Sequence, residues 1–237
     1  MPLALQNRRV GDIAVVTCSG RITDGPECAA LQRHLNDVLV YGADVVLNLS
    51  DVAFVDSSGL GLLVRYLTRA RSAHGNLKLC GVDAHVSEVL RVTRLNTLLE
   101  TYPTESDAIA DFYSRSRARV ADAGNVAVLC VDPSVDLLAY IREVLKQAGF
   151  SVLSVTNLPD ALTLLSAARP RMIVINAGLR TARSTRAGET FNAMADGLPL
   201  VELPPEFGSR DPAEAGAELL DRVRAVLGGP APAAAGG

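Results

Sequence analysis

A short polar segment, Asp56-Ser57-Ser58-Gly59, stands where a strand pattern gives way to a helix pattern. A hydroxyl group at such a place could carry a phosphate, because the unpaired N–H groups and the positive dipole end of a helix N-terminus suit an anion. Ser57 is the candidate acceptor. Gly59 and Gly61 are poor helix formers, which fits a place that another molecule's backbone or a nucleotide approaches closely. An ordinary helix cap uses the same residue types, so the spacing alone also fits a structural role.

The spacing of apolar residues predicts the elements on either side of this segment. Residues 45–49 form an apolar run of strand length that is rich in valine and leucine. After the segment, apolar residues recur at helical spacing at Leu60, Leu63, Val64, Leu67 and Ala70. The pattern predicts a strand, a turn at Asp56 and a helix that begins at Ser57. The outer face of this helix is predicted to carry Leu62, Arg65, Tyr66 and Arg69.

The run from Asp51 to Gly61, DVAFVDSSGLG, resembles the signature of STAS domains of the bacterial anti-sigma-factor antagonist family. The resemblance covers about residues 3–113 and implies a mixed sheet covered by helices. In that family a partner kinase phosphorylates the serine directly after the aspartate, which by position is Ser57. The turn and the outer face of the helix form the predicted docking surface for a partner. Its predicted members are Asp56, Ser57, Ser58, Gly59, Gly61, Leu62 and Tyr66.

One loop departs from the family pattern. Many antagonists carry an aspartate after the second strand in the context Ser-Gly-Glu-Leu-Asp. Here Ser19-Gly20-Arg21-Ile22 is followed by Thr23 and only then by Asp24. The resemblance therefore gives no expectation about partner contacts through that loop. Asn48 stands where an aspartate is common in the strand, and its predicted role is structural.

Length and composition favour two domains with aliphatic cores. The chain has 237 residues, enough for one large domain or two small ones, and a second strand-rich half follows the first. Aromatic residues make up only 4% of it and tryptophan is absent, so Leu, Val, Ala and Ile must fill the cores. A net charge of -3 gives no general attraction for nucleic acid. No signal-peptide pattern and no apolar run near roughly 18 residues is present, which predicts a cytoplasmic protein without a membrane partner.

The cysteines follow neither a metal-site pattern nor a disulfide pattern. They are Cys18, Cys28, Cys80 and Cys130, none of them in C-x-x-C spacing and most of them among apolar residues. They are predicted to be buried free thiols. Neither a metal nor another cofactor is expected.

The predicted elements group into two α/β halves. In the first half, strands are predicted at residues 3–8, 13–18, 45–49 and 76–80, and helices at 27–40, 57–70, 84–92 and 105–113. The pattern predicts a STAS domain at 1–118, a linker at 119–124, a second domain at 125–228 and a disordered tail at 229–237. Small and polar residues with a glycine mark the linker, and the low-complexity sequence marks the tail.

The second half has a βαβαβ order that is doubly wound. Strands are predicted at residues 126–131, 151–155 and 172–175, and helices at 134–148, 159–168 and 213–226. This order, with Val131-Asp132-Pro133-Ser134 after the first strand, resembles the receiver domain of two-component response regulators over about residues 125–205. Between residues 204 and 227 there is room for one helix but hardly for the usual further helix and strand.

The phosphorylation site that this resemblance implies is degenerate. A working receiver holds Mg²⁺ with paired acids after strand one, phosphorylates an aspartate after strand three, and uses a hydroxyl after strand four and a lysine after strand five. The matching positions here are Asp132, Pro133, Asn176 and a point near Pro204. Asparagine cannot form an acyl phosphate, and one carboxylate with an amide is a poor site for a hard cation. The second domain is therefore predicted to bind or space rather than to catalyse.

The leading functional hypothesis is an anti-sigma-factor antagonist that acts by partner switching. When Ser57 is unphosphorylated, the protein would bind an anti-sigma factor that is also a serine protein kinase, and phosphorylation would release it, which regulates transcription. The alternative is a STAS scaffold or stress-signalling subunit without a switch at Ser57, whose partners are other STAS or receiver proteins. An enzyme is the least favoured class. As a nucleophile, Ser57 or Ser58 would need a histidine as its base. His34, His74 and His85 lie on or beside predicted helices, and the chain has no G-x-S-x-G turn of the kind that presents a catalytic serine to its base.

Overall fold

The computed structural model describes residues 2–40, 42–120, 127–181 and 185–227. The chain divides into two compact units, residues 1–115 and residues 116–237. The predicted tail at 229–237 and residues 121–124 of the predicted linker lie outside the described residues. None of the helices in the described ranges combines the length and the apolar character that crossing a bilayer requires.

The first unit is built on a five-stranded mixed sheet with the order β1-β2-β3-β4-β5. The strands are β1 (Ala4–Val10), β2 (Ile13–Ile22), β3 (Val45–Val55), β4 (Leu77–Cys80) and β5 (Glu100–Tyr102). The first two strands form an antiparallel hairpin, and all later neighbours are parallel. The helices are α1 (Pro26–Val40), α2 (Ser57–Ser72), α3 (Ala84–Val92) and α4 (Glu105–Val120), with a 3₁₀ turn at Leu95–Thr97.

Both faces of the sheet in the first unit are covered. Successive side chains of a strand point to opposite faces, so each strand contributes residues to both. In β3, Val45, Leu47 and Leu49 join one apolar core with residues of α1, α2 and α3. Asn48 points to the opposite face, where its amide Nδ2 donates to Glu105 of α4 at 3.2 Å. This hydrogen bond agrees with the predicted structural role of Asn48.

Two strands and one helix of the first unit extend by four or more residues beyond their predicted ends. β2 continues to Ile22 and β3 to Val55, and two register shifts between them accommodate the polar residues of both extensions. Helix α4 was predicted to end at residue 113, but it runs to Val120 and includes residues 119 and 120 of the predicted linker. No glycine or proline interrupts this stretch, and arginine is a good helix former.

The second unit is a four-stranded parallel sheet with the order β7-β6-β8-β9. Its strands are β6 (Ala127–Val131), β7 (Ser151–Val155), β8 (Met172–Asn176) and β9 (Leu200–Leu203). Its helices are α5 (Val135–Gln147), α6 (Leu158–Ala168), α7 (Ala177–Thr181), α8 (Arg186–Ala195) and α9 (Pro212–Leu227), with a 3₁₀ turn at Pro205–Ser209. Helices α5 and α9 share one core with the sheet, while α6 packs against α8. Gly149 ends α5 with a φ of 88°, a left-handed conformation that suits glycine.

Candidate functional site

The turn before α2 is organised by Asp56, which caps the helix. Its backbone is extended, with a φ of -88° and a ψ of -177°, and its Oδ1 accepts the N–H of Gly59 at 2.8 Å. The predicted start of the helix at Ser57 is confirmed. An aspartate in this place satisfies one of the first-turn donors that have no partner within the helix.

Asp56 also ties the turn to the loop after β2. Its Oδ2 accepts the N–H of Asp24 at 2.8 Å, and its own N–H donates to the carbonyl oxygen of Ile22 at 3.1 Å. The N–H groups of Gly59 and then of Asp24 stabilise the charged form and lower the pKa of the Asp56 carboxyl. A fixed negative charge therefore stands directly before Ser57 at neutral pH.

Ser57 and Ser58 are both exposed in the first turn of α2. Within the described part of the chain, the Ser57 hydroxyl has no hydrogen-bond partner. The capping role that the spacing also allowed for this segment belongs to Asp56 and not to Ser57. The Ser57 hydroxyl is thus accessible to a second protein.

The prediction that Leu62 and Tyr66 lie on the outer face of α2 is wrong. Leu62 is 6% exposed and Tyr66 2% exposed, because α1 packs beside α2 and covers that side of the helix. The Tyr66 hydroxyl lies 2.9 Å from the carbonyl oxygen of Gln32 and 2.6 Å from Oδ1 of Asn36, both in α1. These two side chains hold the helices together and are not available to a partner. Val64, predicted to face the sheet, is half-buried.

The two glycines of the first turns differ in what surrounds them. A Cβ at Gly59 would lie 2.8 Å from the carbonyl oxygen of Ile22 and 2.8 Å from a methyl group of Val55. Gly59 therefore allows the chain itself to pack closely, and the prediction that it serves an approaching molecule is wrong. Gly61 is exposed, and a Cβ there would meet nothing within 4 Å.

A stack of three flat side chains lies at the same end of the sheet. The guanidinium carbon of Arg21 is 4.9 Å from the ring centroid of Phe54, and the Phe54 and His85 rings are 6.0 Å apart at 17°. Such stacking holds a cation over an aromatic face. Sequence reasoning missed this group, although Arg21 belongs to the loop that departs from the family pattern and Phe54 to the central motif.

Three of the four cysteines are buried and free as predicted, whereas Cys28 is half-exposed. Burial raises the pKa of the Cys18, Cys80 and Cys130 thiols to about 12. Partial burial, followed by the nearby charge of Asp56, also raises the pKa of the Cys28 thiol. All four sulfurs are therefore protonated at neutral pH and are poor nucleophiles.

In the second unit, the predicted receiver positions Asp132 and Asn176 meet at the carboxyl ends of β6 and β8. The amide Nδ2 of Asn176 donates to Oδ2 of Asp132 at 2.8 Å. The N–H of Ser134 donates to Oδ1 of Asp132 at 2.8 Å, and the N–H of Gly178 donates to Oδ1 of Asn176 at 2.8 Å. The side chains of Asp132 and Asn176 are thus joined by a direct hydrogen bond.

The other two predicted receiver positions add no ligand for a metal. Pro133 is exposed beside Asp132, and Pro204 directly follows β9. Among the described residues, no three side chains of His, Cys, Asp or Glu cluster closely enough to hold a metal ion.

Comparison with protein families matches residues 4–108 to the model of the STAS domain. Residues 4–108 form a STAS domain. A homologue of an anti-sigma factor antagonist from Thermotoga neapolitana is 34% identical over 71 residues, which cover 30% of this chain. The chain spans 63% of the length of that curated relative.

Comparison with solved structures gives two partial matches. An anti-sigma factor antagonist from Mycobacterium paratuberculosis has a TM-score of 0.43 and 22% identity, and the match covers 46% of this chain and 93% of that one. A chemotaxis response regulator of Vibrio cholerae has a TM-score of 0.29 and 18% identity, and the match covers 42% of this chain and 98% of that one.

The glycines of the STAS domain give a matched pair of substitutions. Gly59→Ala is expected to destabilise the domain by about 1–3 kcal/mol, because the new methyl group overlaps the backbone of Ile22. Gly61→Ala, its control, is expected to stabilise by up to about 1 kcal/mol, because alanine favours the helix and the space is open. Urea unfolding followed by circular dichroism measures both. Equal effects of the two substitutions would contradict the close packing at Gly59.

The pair in the second unit gives a double-mutant cycle. Asn176→Asp replaces an amide donor with a second carboxylate beside Asp132, and we expect it to lower the free energy of unfolding by about 1–3 kcal/mol. Asp132→Asn with Asn176→Asp exchanges the two groups and can keep all three hydrogen bonds, so the double variant should recover most of that loss. Urea denaturation of the wild type, Asn176→Asp, Asp132→Asn and the double variant tests the cycle. A double variant no more stable than Asn176→Asp would argue against the direct hydrogen bond.

Proposed function

We propose that the STAS domain acts as an anti-sigma factor antagonist by partner switching. In this proposal it binds an anti-sigma factor that is also a serine protein kinase while Ser57 is unphosphorylated. Phosphorylation of Ser57 by that kinase ends the complex. The observation that carries the proposal is the exposed Ser57 hydroxyl at the start of a helix whose cap is provided by the preceding residue. The similarity to the Thermotoga neapolitana protein supports the same class of function.

The turn suits a hydroxyl that must react without unfolding the domain. Asp56 and its hydrogen bonds to Gly59 and Asp24 fix the backbone on both sides of Ser57. A kinase can therefore reach the hydroxyl while the helix stays formed. The N-terminal end of the helix can then accommodate the phosphate, so that phosphorylation changes the charge of the surface rather than the fold.

The proposed docking surface consists of the exposed residues around the turn. Ser57, Ser58, Gly61 and Arg65 lie on the accessible side of the first two turns of α2. Because Gly61 has no side chain, a partner can approach the helix backbone there. The adjacent Arg21, which stacks on Phe54, adds a positive charge on the side of the loop after β2.

This proposal makes the STAS domain a binding protein rather than a hydrolase. A nucleophilic serine needs a base within hydrogen-bond reach. Among the described histidines, none is hydrogen-bonded to Ser57 or Ser58, and His85 is stacked on Phe54. The exposed serine is better suited to receive a phosphoryl group than to attack a substrate.

The test is phosphorylation by a purified partner. The full chain is incubated with ATP and with each serine kinase of the anti-sigma type from the genome that encodes it, and the modified residue is identified by peptide mass analysis. We expect one kinase to add a single phosphate at Ser57, to act on Ser58→Ala, and to leave Ser57→Ala unmodified. Modification of Ser57→Ala, or of no protein by any of these kinases, would contradict the proposal.

For the second unit we propose a binding or spacing role without phosphoryl transfer. Asn176 has no carboxylate to form an acyl phosphate, and its amide Nδ2 donates a hydrogen bond to the carboxylate of Asp132. We expect no phosphoryl adduct in residues 125–228 after incubation with acetyl phosphate and Mg²⁺. Asn176→Asp alone should also form none, because Pro133 removes a metal ligand. Mass analysis of the intact unit decides this, and a stable adduct would overturn the proposed role.

A further inference from the structure

A cleft of about 630 Å³ opens at the carboxyl ends of β6 and β8 in the second unit. From β6 the chain continues to β7 on one side of the sheet and later to β8 on the other, so this cleft lies at the point where the strand order reverses. Ligands of doubly wound sheets bind at such a point. The volume is within the range of sites for small molecules.

The carboxylate of Asp132 lies at the inner end of the cleft. The residue is only 2% exposed, and its oxygens accept one N–H each, from Asn176 and from the backbone of Ser134. No arginine or lysine among the described residues forms an ion pair with it. A carboxylate can accept about four hydrogen bonds, and buried charges are normally paired. Asp132 therefore has unused acceptor capacity and no counter-ion within the described part of the unit.

Part of the cleft's lining is apolar, and the arginine in the lining, Arg210, pairs with a residue outside the cleft. Leu137 and Tyr140 of α5 and Phe207 of the 3₁₀ turn line the cleft, and Ser134 and Ser209 are among its polar lining residues. Arg210 lies 2.7 Å from Glu218 and stacks on the Phe207 ring, with 6.0 Å between the guanidinium carbon and the ring centroid. The cleft thus combines a buried negative charge with an apolar wall.

We propose that this cleft binds a small organic cation, with an amidinium, guanidinium or ammonium group on Asp132 and an apolar body against Leu137, Tyr140 and Phe207. This function is independent of the switch proposed at Ser57. The donors do not favour a divalent metal instead. Hard cations take several oxygen ligands, whereas here the amide oxygen of Asn176 beside Asp132 already accepts the N–H of Gly178, and Asp136 adds one exposed carboxylate to the lining.

The test is calorimetric titration of the full chain with benzamidine, which carries a planar cation on an aromatic ring. Benzamide is the neutral control of the same shape, and MgCl₂ tests the metal. We expect saturable binding of benzamidine, with benzamide weaker by roughly tenfold or more, as loss of a charge-assisted hydrogen bond implies. Asp132→Asn should weaken benzamidine binding to a similar extent. Asp221→Asn, an exposed acid of α9 outside the cleft, should leave it unchanged.

The exchange variant Asp132→Asn with Asn176→Asp distinguishes a loss of binding from a loss of folding caused by Asp132→Asn alone. It keeps one carboxylate at the inner end of the cleft and should bind benzamidine more tightly than Asp132→Asn alone. Equal binding of benzamidine and benzamide, binding that Asp132→Asn leaves unchanged, or no binding of any cation would overturn the proposal. Mg²⁺ that binds and excludes benzamidine would also overturn it, in favour of a metal site. Ser57→Ala should bind benzamidine like the wild type, so failure here leaves the proposed switch untouched.

Discussion

Ser57→Asp is expected to weaken binding of the STAS domain to its kinase partner by roughly two to three orders of magnitude, which corresponds to about 3–4 kcal/mol. Ser57→Ala is expected to bind like the unphosphorylated protein. Ser57→Asp places a negative charge in the middle of the proposed docking surface. A phosphate on Ser57 adds about -1.5 to -2 charges at the same place and should act in the same direction.

The geometry of the turn explains why the charge has so large an expected effect. Asp56 is fixed by the N–H groups of Gly59 and Asp24 and cannot turn away from a second negative charge at Ser57. When a partner covers the turn, both charges lose water, and repulsion grows as the local dielectric constant falls. Because the cap belongs to Asp56, Ser57→Ala removes no capping hydrogen bond, and its stability should stay close to that of the wild type.

Titration calorimetry with the kinase identified by the phosphorylation test measures these affinities. Ser58→Ala is the matched control, because it removes the adjacent exposed hydroxyl of the docking surface without adding a charge, and it should weaken binding far less than Ser57→Asp. Equal affinities of Ser57→Ala and Ser57→Asp would contradict a switch at this residue. In that case the partner would bind the STAS domain through a surface that does not include Ser57.

The beginning of α2 could be predicted from sequence because several local signals agree there. The apolar period changes near Asp56, and an aspartate followed by two serines is a good helix start. The structure places the cap at Asp56 and the first helical residue at Ser57. The capping hydrogen bond spans only three residues, so no knowledge of the tertiary fold was needed.

The outer face of the same helix could not be predicted from its own sequence. Period analysis assumes a single buried stripe, but α2 packs against both the sheet and α1. Its buried surface is therefore wider than the stripe and includes Leu62 and Tyr66. Gly59 was misread for a related reason, since the backbone that approaches it belongs to Ile22, 37 positions earlier in the sequence.

In the second unit, counting along the chain put Asp132 and Asn176 at strand ends, where the structure also has them, but it did not predict their interaction. Parallel strands bring their carboxyl ends to one edge of the sheet, so residues that end β6 and β8 must lie close together. The side-chain orientation that makes Asn176 donate to Asp132 depends on the turn after β8, where the N–H of Gly178 holds the amide oxygen. Sequence spacing contains no such information.

Lys78 is the feature of the STAS domain that sequence reasoning missed most completely. Its side chain in β4 is 0% exposed, and its ammonium group pairs with Asp111 of α4 and lies 3.9 Å from Oε2 of Glu100. The same nitrogen is 3.9 Å from the ring centroid of Phe112. A lysine within a short strand is ordinarily read as an exposed position, and only the helix packed on this face makes it buried.

Asp111→Ala is therefore expected to destabilise the STAS domain by about 2–4 kcal/mol. The substitution removes the carboxylate that pairs with the buried ammonium group and leaves that of Glu100 at 3.9 Å, and breaking a buried ion pair by removing one partner is costly. The value lies below that of a fully buried pair because Asp111 itself is 28% exposed. Urea unfolding followed by circular dichroism measures the loss. Asp37→Ala, which removes an exposed acid from α1, is the control and should cost less than about 0.5 kcal/mol.

Lys78→Met separates two free energies: the cost of leaving the buried ammonium group without Asp111, and the net stabilisation that the ion pair provides. Methionine fills much of the same space beside Phe112, and Asp111 and Glu100 are exposed enough to be solvated once the ammonium group is gone. We expect Lys78→Met to change stability by less than about 1.5 kcal/mol, and Lys78→Met with Asp111→Ala to recover most of the loss caused by Asp111→Ala alone. If Lys78→Met is as destabilising as Asp111→Ala, the ion pair itself stabilises the fold. That result would contradict the view that burying Lys78 has a net free-energy cost, which Asp111 of α4 offsets.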